Sequence, residues 1–141
     1  MADGEFWGRK LNANFDALDP SAEWIRCRPW IEAAVSRGDL YGIEDVERRI
    51  MDGEVLFWPG KRCAAITEFL EFPKARILNF WLLGGDLREL LEDMHPVIED
   101  FARKMGCKRL TGVYGKGRRG WSRVLEKHGY APFWTALGKE L

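Results

Sequence analysis

Glu68 stands inside the apolar run Ile66-Thr67-Glu68-Phe69, where a carboxylate has two roles open to it. Facing a cleft, it would lose solvent, its pKa would rise, and it would suit taking a proton from an ammonium substrate. On a strand that alternates between two faces, it is instead an outward, solvated carboxylate. Gly115-Lys116-Gly117-Arg118-Arg119-Gly120 gathers three glycines and three cations just before a helical pattern. Glycines let a phosphate approach the backbone, and cations at a helix N-terminus favour an anion. The segment therefore reads either as an anion site built on Arg118 and Arg119 or as a solvated turn. It matches G-x-G-x-x-G in form, but a dinucleotide fold needs a further strand and an acidic residue beyond it, and neither follows. His95 and His128 are the only histidines, and Cys27, Cys63 and Cys107 are widely scattered, so no zinc-ligand spacing exists. His95, beside Pro96, reads as a surface or bend residue, and His128 as a helix cap.

The elements that position these residues follow from the patterning of apolar positions. Asp19-Pro20 supplies an N-cap and a first-turn proline for a helix closed by Gly38, with a kink or restart expected at Pro29. Ile43, Val46 and Ile50 share the face of a second helix, residues 43–51. Residues 54–58, 62–72 and 75–83 are runs rich in Ile, Leu, Phe and Trp, split by Pro59-Gly60 and Pro73-Lys74. They predict three strands in a meander, the third most buried. Gly84-Gly85-Asp86 then leads into the clearest helix, whose stripe runs from Leu87 through Leu90, Leu91, Met94, Ile98 and Phe101 to Met105. Asp86 and Glu89 make an N-cap and its reciprocal partner, and Pro96 predicts a bend. A strand over 107–114, a short helix over 119–128 and a final strand over 130–141 complete the order. Residues 1–19 read as irregular, and the whole of 1–141 as one domain.

Composition narrows the function classes. Twenty-two basic residues balance 22 acidic ones, which argues against a protein whose work is coating nucleic acid. An odd, scattered set of three cysteines reads as reduced thiols in the cytoplasm. No segment has the length and apolarity of a membrane span, and the first residues lack a signal core. Seven tryptophans predict an aromatic core and pocket rim, each buried indole N–H needing a partner.

The element order and lengths resemble those of the GNAT-type N-acetyltransferase superfamily from about Ala22 onward. "VIEDFARKMGCKRL" is similar to the family's long helix running into its fifth strand. "WSRVLEKHGYAPFWTALGKEL" is similar to the next helix, the Gly-aromatic junction and the last strand. The resemblance implies an α+β (mixed α/β) three-layer fold, with helices on both faces of a mixed, splayed sheet. Residues 5–15 are left to supply the family's first strand. It also implies acetyl transfer from acetyl-CoA to a small-molecule or protein amine. In the family the pantetheine arm lies between two diverging parallel strands, here 78–83 and 110–114, and the pyrophosphate sits at the N-terminus of the long helix. Carried over, the cofactor-binding turn is Leu83, Gly84, Gly85, Asp86 and Leu87, with Arg118 and Arg119 beside it. The turn departs from the family pattern: it is short, lacks a leading Gln or Arg, and sets Asp86 where a diphosphate arrives. The family's acid tyrosine is replaced by Leu125, which leaves Tyr114 as either a substitute acid or a packing residue. The other reading is a GNAT-shaped binding or assembly protein without catalysis, similar to compact phage and prophage proteins. Nucleic-acid contact through Lys116, Arg118 and Arg119 is disfavoured by the zero net charge.

Overall fold

The computed structural model describes residues 20–112, 120–134 and 136–141. Helix α1, Pro20–Val35, buries Trp24, Cys27, Ile31 and Val35. Pro29 lies inside it and does not break it. The carbonyl that loses its donor belongs to Ile25, a residue 73% exposed, so the missing bond falls on the solvent side of the helix. Helix α2, Ile43–Met51, turns Ile43, Val46 and Ile50 inward and is capped by a reciprocal bond from the Gly42 N–H to the Asp45 carboxylate.

Strands β1 (Leu56–Pro59), β2 (Cys63–Phe72) and β3 (Ala75–Gly85) form the expected antiparallel meander, and β4 (Cys107–Gly112) adds in parallel to β3. The sheet order is β1-β2-β3-β4. The longest buried run belongs to β2, at residues 63–67, and not to the third strand as expected. Those residues are covered on both faces. Ala64 and Ile66 pack with α1 and α2, whereas Cys63 and Ala65 pack with the long helix.

That long helix, α3, is assembled from a turn Leu87–Glu89, a π-helical turn Leu90–Met94 and an α-helix His95–Lys104. Pro96 takes an early position of the α-helical part. The widened turn before it, closed by His95 N–H to the Leu90 carbonyl, accommodates a residue that can neither donate nor sit against a tight preceding turn. Leu90, Met94, Ile98, Phe101 and Ala102 bury against the second face of the sheet with Trp58 and Leu78. The layers are therefore α1/α2, sheet, and α3. A short helix α4, Gly120–Glu126, follows.

A second expectation also fails. The described residues of 130–141 form no strand: Pro132 withholds a ladder donor, and residues 131–134 and 136–141 are exposed. The first strand anticipated over 5–15 lies outside the described residues. Indole partners are found where burial demands them: Trp58 Nε1–H donates to Thr67 Oγ1 at 2.8 Å, and Trp24 Nε1–H to Glu47 at 2.9 Å. Trp134, by contrast, is 53% exposed and not core.

Candidate active site

β3 and β4 pair from Arg76↔Cys107 through Phe80↔Gly112. The divergence expected to begin at Leu78 is therefore still closed at Leu78, Asn79 and Phe80. Beyond that point β3 runs on to Gly85 beside β2. Directly after the last β3–β4 pair among the described residues, the β2–β3 register steps from Thr67↔Phe80 to Ile66↔Leu82, which leaves Trp81 as an extra residue on β3. Such a bulge bends the strand and re-aims its side chains.

An apolar cleft opens at this place on the α3 face, walled by Phe80, Leu83, Gly112, Leu90, Met94 and Leu125. Two polar side chains enter it, and they meet: His95 Nε2 and the Tyr130 hydroxyl lie 2.7 Å apart. The π-turn sets His95 at the start of the following helical segment, and the Gly129 turn (φ +87°) brings the next residue, Tyr130, back toward it. The His95 side chain is 11% exposed and stacks on Phe80 at 5.9 Å. Its Nδ1 faces Glu99 at 3.7 Å, and the His128 ring stands 6.1 Å away.

Burial pulls the His95 pKa below the usual histidine value; Glu99 opposes this and His128 adds to it. Burial, with Glu99 nearby, pushes the Tyr130 phenol above its usual value. At neutral pH the pair is thus an uncharged imidazole and a protonated phenol. In the tautomer that carries its hydrogen on Nε2, His95 donates to the Tyr130 oxygen and leaves the phenol O–H free to face the cleft. A protonated hydroxyl held in an apolar cleft can give its proton to an anion formed there.

The opposite face of the same point is polar. Glu68 points toward α2, where Arg49 donates to Oε1 at 3.3 Å, and Asn79 donates to Oε2 at 3.2 Å. Thr111 of β4 then donates to the Asn79 carbonyl oxygen at 2.8 Å. Asn79↔Thr111 is the pair immediately before Phe80↔Gly112. The Arg49 guanidinium also donates to Glu54 at 3.0 Å and lies over Trp81 at 4.5 Å. Glu68 is therefore a half-buried, doubly hydrogen-bonded carboxylate next to the Phe80↔Gly112 pair, on the face away from Tyr130.

No protein-family model and no curated protein matches the chain. Solved structures do. One described as a probable acetyltransferase aligns with TM-score 0.62 over 86% of this chain and 91% of its own, at 12% identity. Ribosomal-protein-alanine N-acetyltransferase from Brucella melitensis biovar Abortus 2308 aligns with TM-score 0.62 over 85% and 92%, also at 12% identity. A transcriptional regulator from Bacillus halodurans C-125 gives TM-score 0.53 over 70% and 74%, at 12% identity. The chain has the GNAT acetyltransferase fold.

The turn ahead of α3, where the resemblance implies a diphosphate, is closely packed by the protein itself. Leu83, Gly84 and Gly85 belong to β3, with Gly84 opposite Ala64 and Gly85 opposite Cys63. A Cβ on Gly84 would overlap the Trp30 carbonyl, and one on Gly85 (φ +91°) the Arg62 carbonyl. The absence of a side chain at both glycines permits this close backbone packing. Asp86 is the N-cap, its carboxylate accepting the Glu89 N–H at 2.9 Å, while its own N–H donates to Arg62 O at 2.7 Å. The reciprocal half of the expected capping box is missing. Glu89 instead turns its buried carboxylate to the β1–β2 turn, accepting from Arg62 N–H at 3.0 Å and from the Cys63 thiol at 2.9 Å. Burial pushes the Glu89 pKa up, but the bonds from Cys63 and from the Arg62 and Lys61 backbone outweigh it, so the group stays below the usual carboxylate range. Leu87, 37% exposed, lies just beyond the cap. Tyr114, Lys116, Arg118 and Arg119 lie outside the described residues.

Sequence reasoning missed His95 and Tyr130 as a pair. They stand 35 residues apart, and only the packing of the Gly129–Tyr130 junction against the π-turn joins them. The one available signal was the Gly-aromatic junction itself. Among the described residues, no group of three His, Cys, Asp or Glu side chains could hold a metal, and no helix is long and apolar enough to cross a membrane.

Proposed function

We propose that this protein transfers an acyl group from a thioester to an amine at the point where β3 and β4 part. The observation that carries the reading is the hydrogen-bonded Tyr130–His95 pair in the cleft beside Phe80↔Gly112, the last β3–β4 pair among the described residues. Glu68 stands across the sheet from that pair. The amine nitrogen attacks the thioester carbonyl carbon, a C–N bond forms, and the C–S bond breaks. The proton lost by the amine goes to the Glu68 carboxylate, and the departing thiolate takes the Tyr130 proton. His95 holds the phenol in place and remains neutral, so the phenol is present in its acid form. General acid catalysis of this kind is worth about 10²–10⁴ in rate. Three free cysteines fit work in a reducing cytoplasm.

The test is acetyl transfer from an acetyl thioester to a panel of primary amines, followed by mass spectrometry. Tyr130→Phe should lower the rate by about 10²–10⁴-fold. Its circular dichroism should be unchanged. Full activity in Tyr130→Phe removes the acid assigned here, and no transfer to any amine removes the reading. The carboxylate-filled turn favours one other account, a GNAT-shaped binding component. A stable stoichiometric partner in a pull-down, with Tyr130→Phe and Glu68→Gln both silent, would put that account first.

A further inference from the structure

The turn ahead of α3 and the cleft beside it make opposite demands on a ligand. The turn carries two carboxylates within four residues: Asp86 on the Glu89 N–H, and Glu89 on the β1–β2 turn. The Asp86 N–H is already committed to the Arg62 carbonyl. Gly60 closes against Glu89 from the other side, where an added Cβ would overlap the Glu89 carboxylate. Among the described residues two cations stand near: the Arg62 guanidinium, 4.0 Å from Asp86 and 3.8 Å from Glu89 with its side chain 74% exposed, and Arg26, which is already engaged with Glu23 and with the Gly60 and Lys61 carbonyls. Arg88 is engaged with Glu92 at 3.2 Å. A diphosphate arriving here would meet like charge and a helix end that is already capped, with its cradle occupied by backbone. Few partially positive groups remain to compensate. The cleft is the reverse: among the described residues its walls are apolar and carry no charged group, and one hydroxyl enters it in an uncharged pair. It suits the acyl and thioester end of a donor.

We propose that the donor is recognised through its acyl-pantetheine arm in the cleft, and that the turn at Asp86 rejects the nucleotide diphosphate. The inference rests on the acyl-transfer reading for its choice of ligand, but it is tested by binding as well as turnover. Where an open helix N-terminus would favour coenzyme A over pantetheine, the filled one gives no such preference.

The experiment is calorimetric titration with three probes: S-acetyl-pantetheine, acetyl-CoA and 3′-phospho-ADP, the last being the nucleotide half with its diphosphate. The two thioesters should bind within about 3-fold of each other, a difference of well under 1 kcal/mol. The 3′-phospho-ADP should give no heat at millimolar concentration. Asp86→Asn keeps a competent cap and removes one charge, so it should strengthen acetyl-CoA by up to about 5-fold and leave S-acetyl-pantetheine unchanged. Binding of 3′-phospho-ADP alone, or a preference for acetyl-CoA of about 30-fold or more, would overturn the inference while leaving acyl transfer standing. Binding of S-acetyl-pantetheine without transfer to any amine would sink acyl transfer and leave the donor assignment. Failure of both thioesters to bind would overturn both.

Discussion

Removing the Glu89 carboxylate should cost this protein a large share of its stability, and the structure sets the scale. Glu89 is 7% exposed and accepts from the Arg62 N–H at 3.0 Å and the Cys63 thiol at 2.9 Å, with the Lys61 backbone also donating. A hydrogen bond to a charged acceptor is worth about 1.5–3 kcal/mol, and a buried donor left unpaired costs a similar amount. The β1–β2 turn lies near the surface, where water can reach some of these donors, so the full sum is not realised. Glu89→Ala should lose about 3 kcal/mol. Glu89→Gln keeps an acceptor oxygen and should lose roughly 1 kcal/mol. The depressed carboxylate pKa fixes the pH dependence. A group whose folded pKa lies below its unfolded value, near about 4.3 for Glu, stabilises above that value and loses its contribution as pH falls through the folded one. The gap between wild type and Glu89→Gln should be full at neutral pH and close in the acid range below about pH 4. Urea unfolding followed by tryptophan fluorescence measures it. Glu89→Ala within about 0.5 kcal/mol of wild type at neutral pH, or a gap that widens toward acid, would refute the claim that this carboxylate clamps the turn.

Three further outcomes follow from single contacts. Thr67→Val strands the Trp58 indole N–H in the core, both residues being at most 1% exposed, and should cost about 1–3 kcal/mol in urea unfolding, while Thr67→Ser should cost far less. Gly84→Ala drives a methyl group into the Trp30 backbone; because neither strand nor α1 can yield cheaply, a loss of about 1–3 kcal/mol is expected by thermal melt. Native iodoacetamide labelling should reach Cys107, the half-buried thiol, well before Cys27, which burial pushes to about 11, and before Cys63, which burial and its bond to Glu89 push higher still.

The strands and both leading helices were legible because their signals are local. Ile43, Val46 and Ile50 mark the inner face of α2, and Pro59-Gly60 and Pro73-Lys74 mark the meander turns. The C-terminal segment misled because Phe133, Trp134 and Leu137 look like strand residues, yet all three are exposed and Pro132 interrupts the ladder. The Asp86 cap was readable from its place before the stripe, but Glu89 was not readable as a buried clamp. Its partners sit 26 and 27 residues earlier, on a turn that only the tertiary fold brings near. Gly84 and Gly85 had the composition of a ligand cradle and proved to be a site of backbone crowding. Glu68 could be assigned to a mid-strand position from sequence, but not to a face, because that depends on which side α2 covers. His95 and Tyr130 carried no spacing signal at all, since a π-turn, which periodicity does not announce, sets the phase of His95.

The central claim, that a thioester is held where β3 and β4 part, is tested most directly by methyl-labelled NMR during titration with S-acetyl-pantetheine. The account predicts shifts confined to Leu83, Leu90, Met94, Ile98 and Leu125, with the Tyr130→Phe variant still showing them because the walls of the cleft remain. Shifts centred on the α1 and α2 residues Ile31, Val35 and Val46, or none at millimolar ligand, would contradict it.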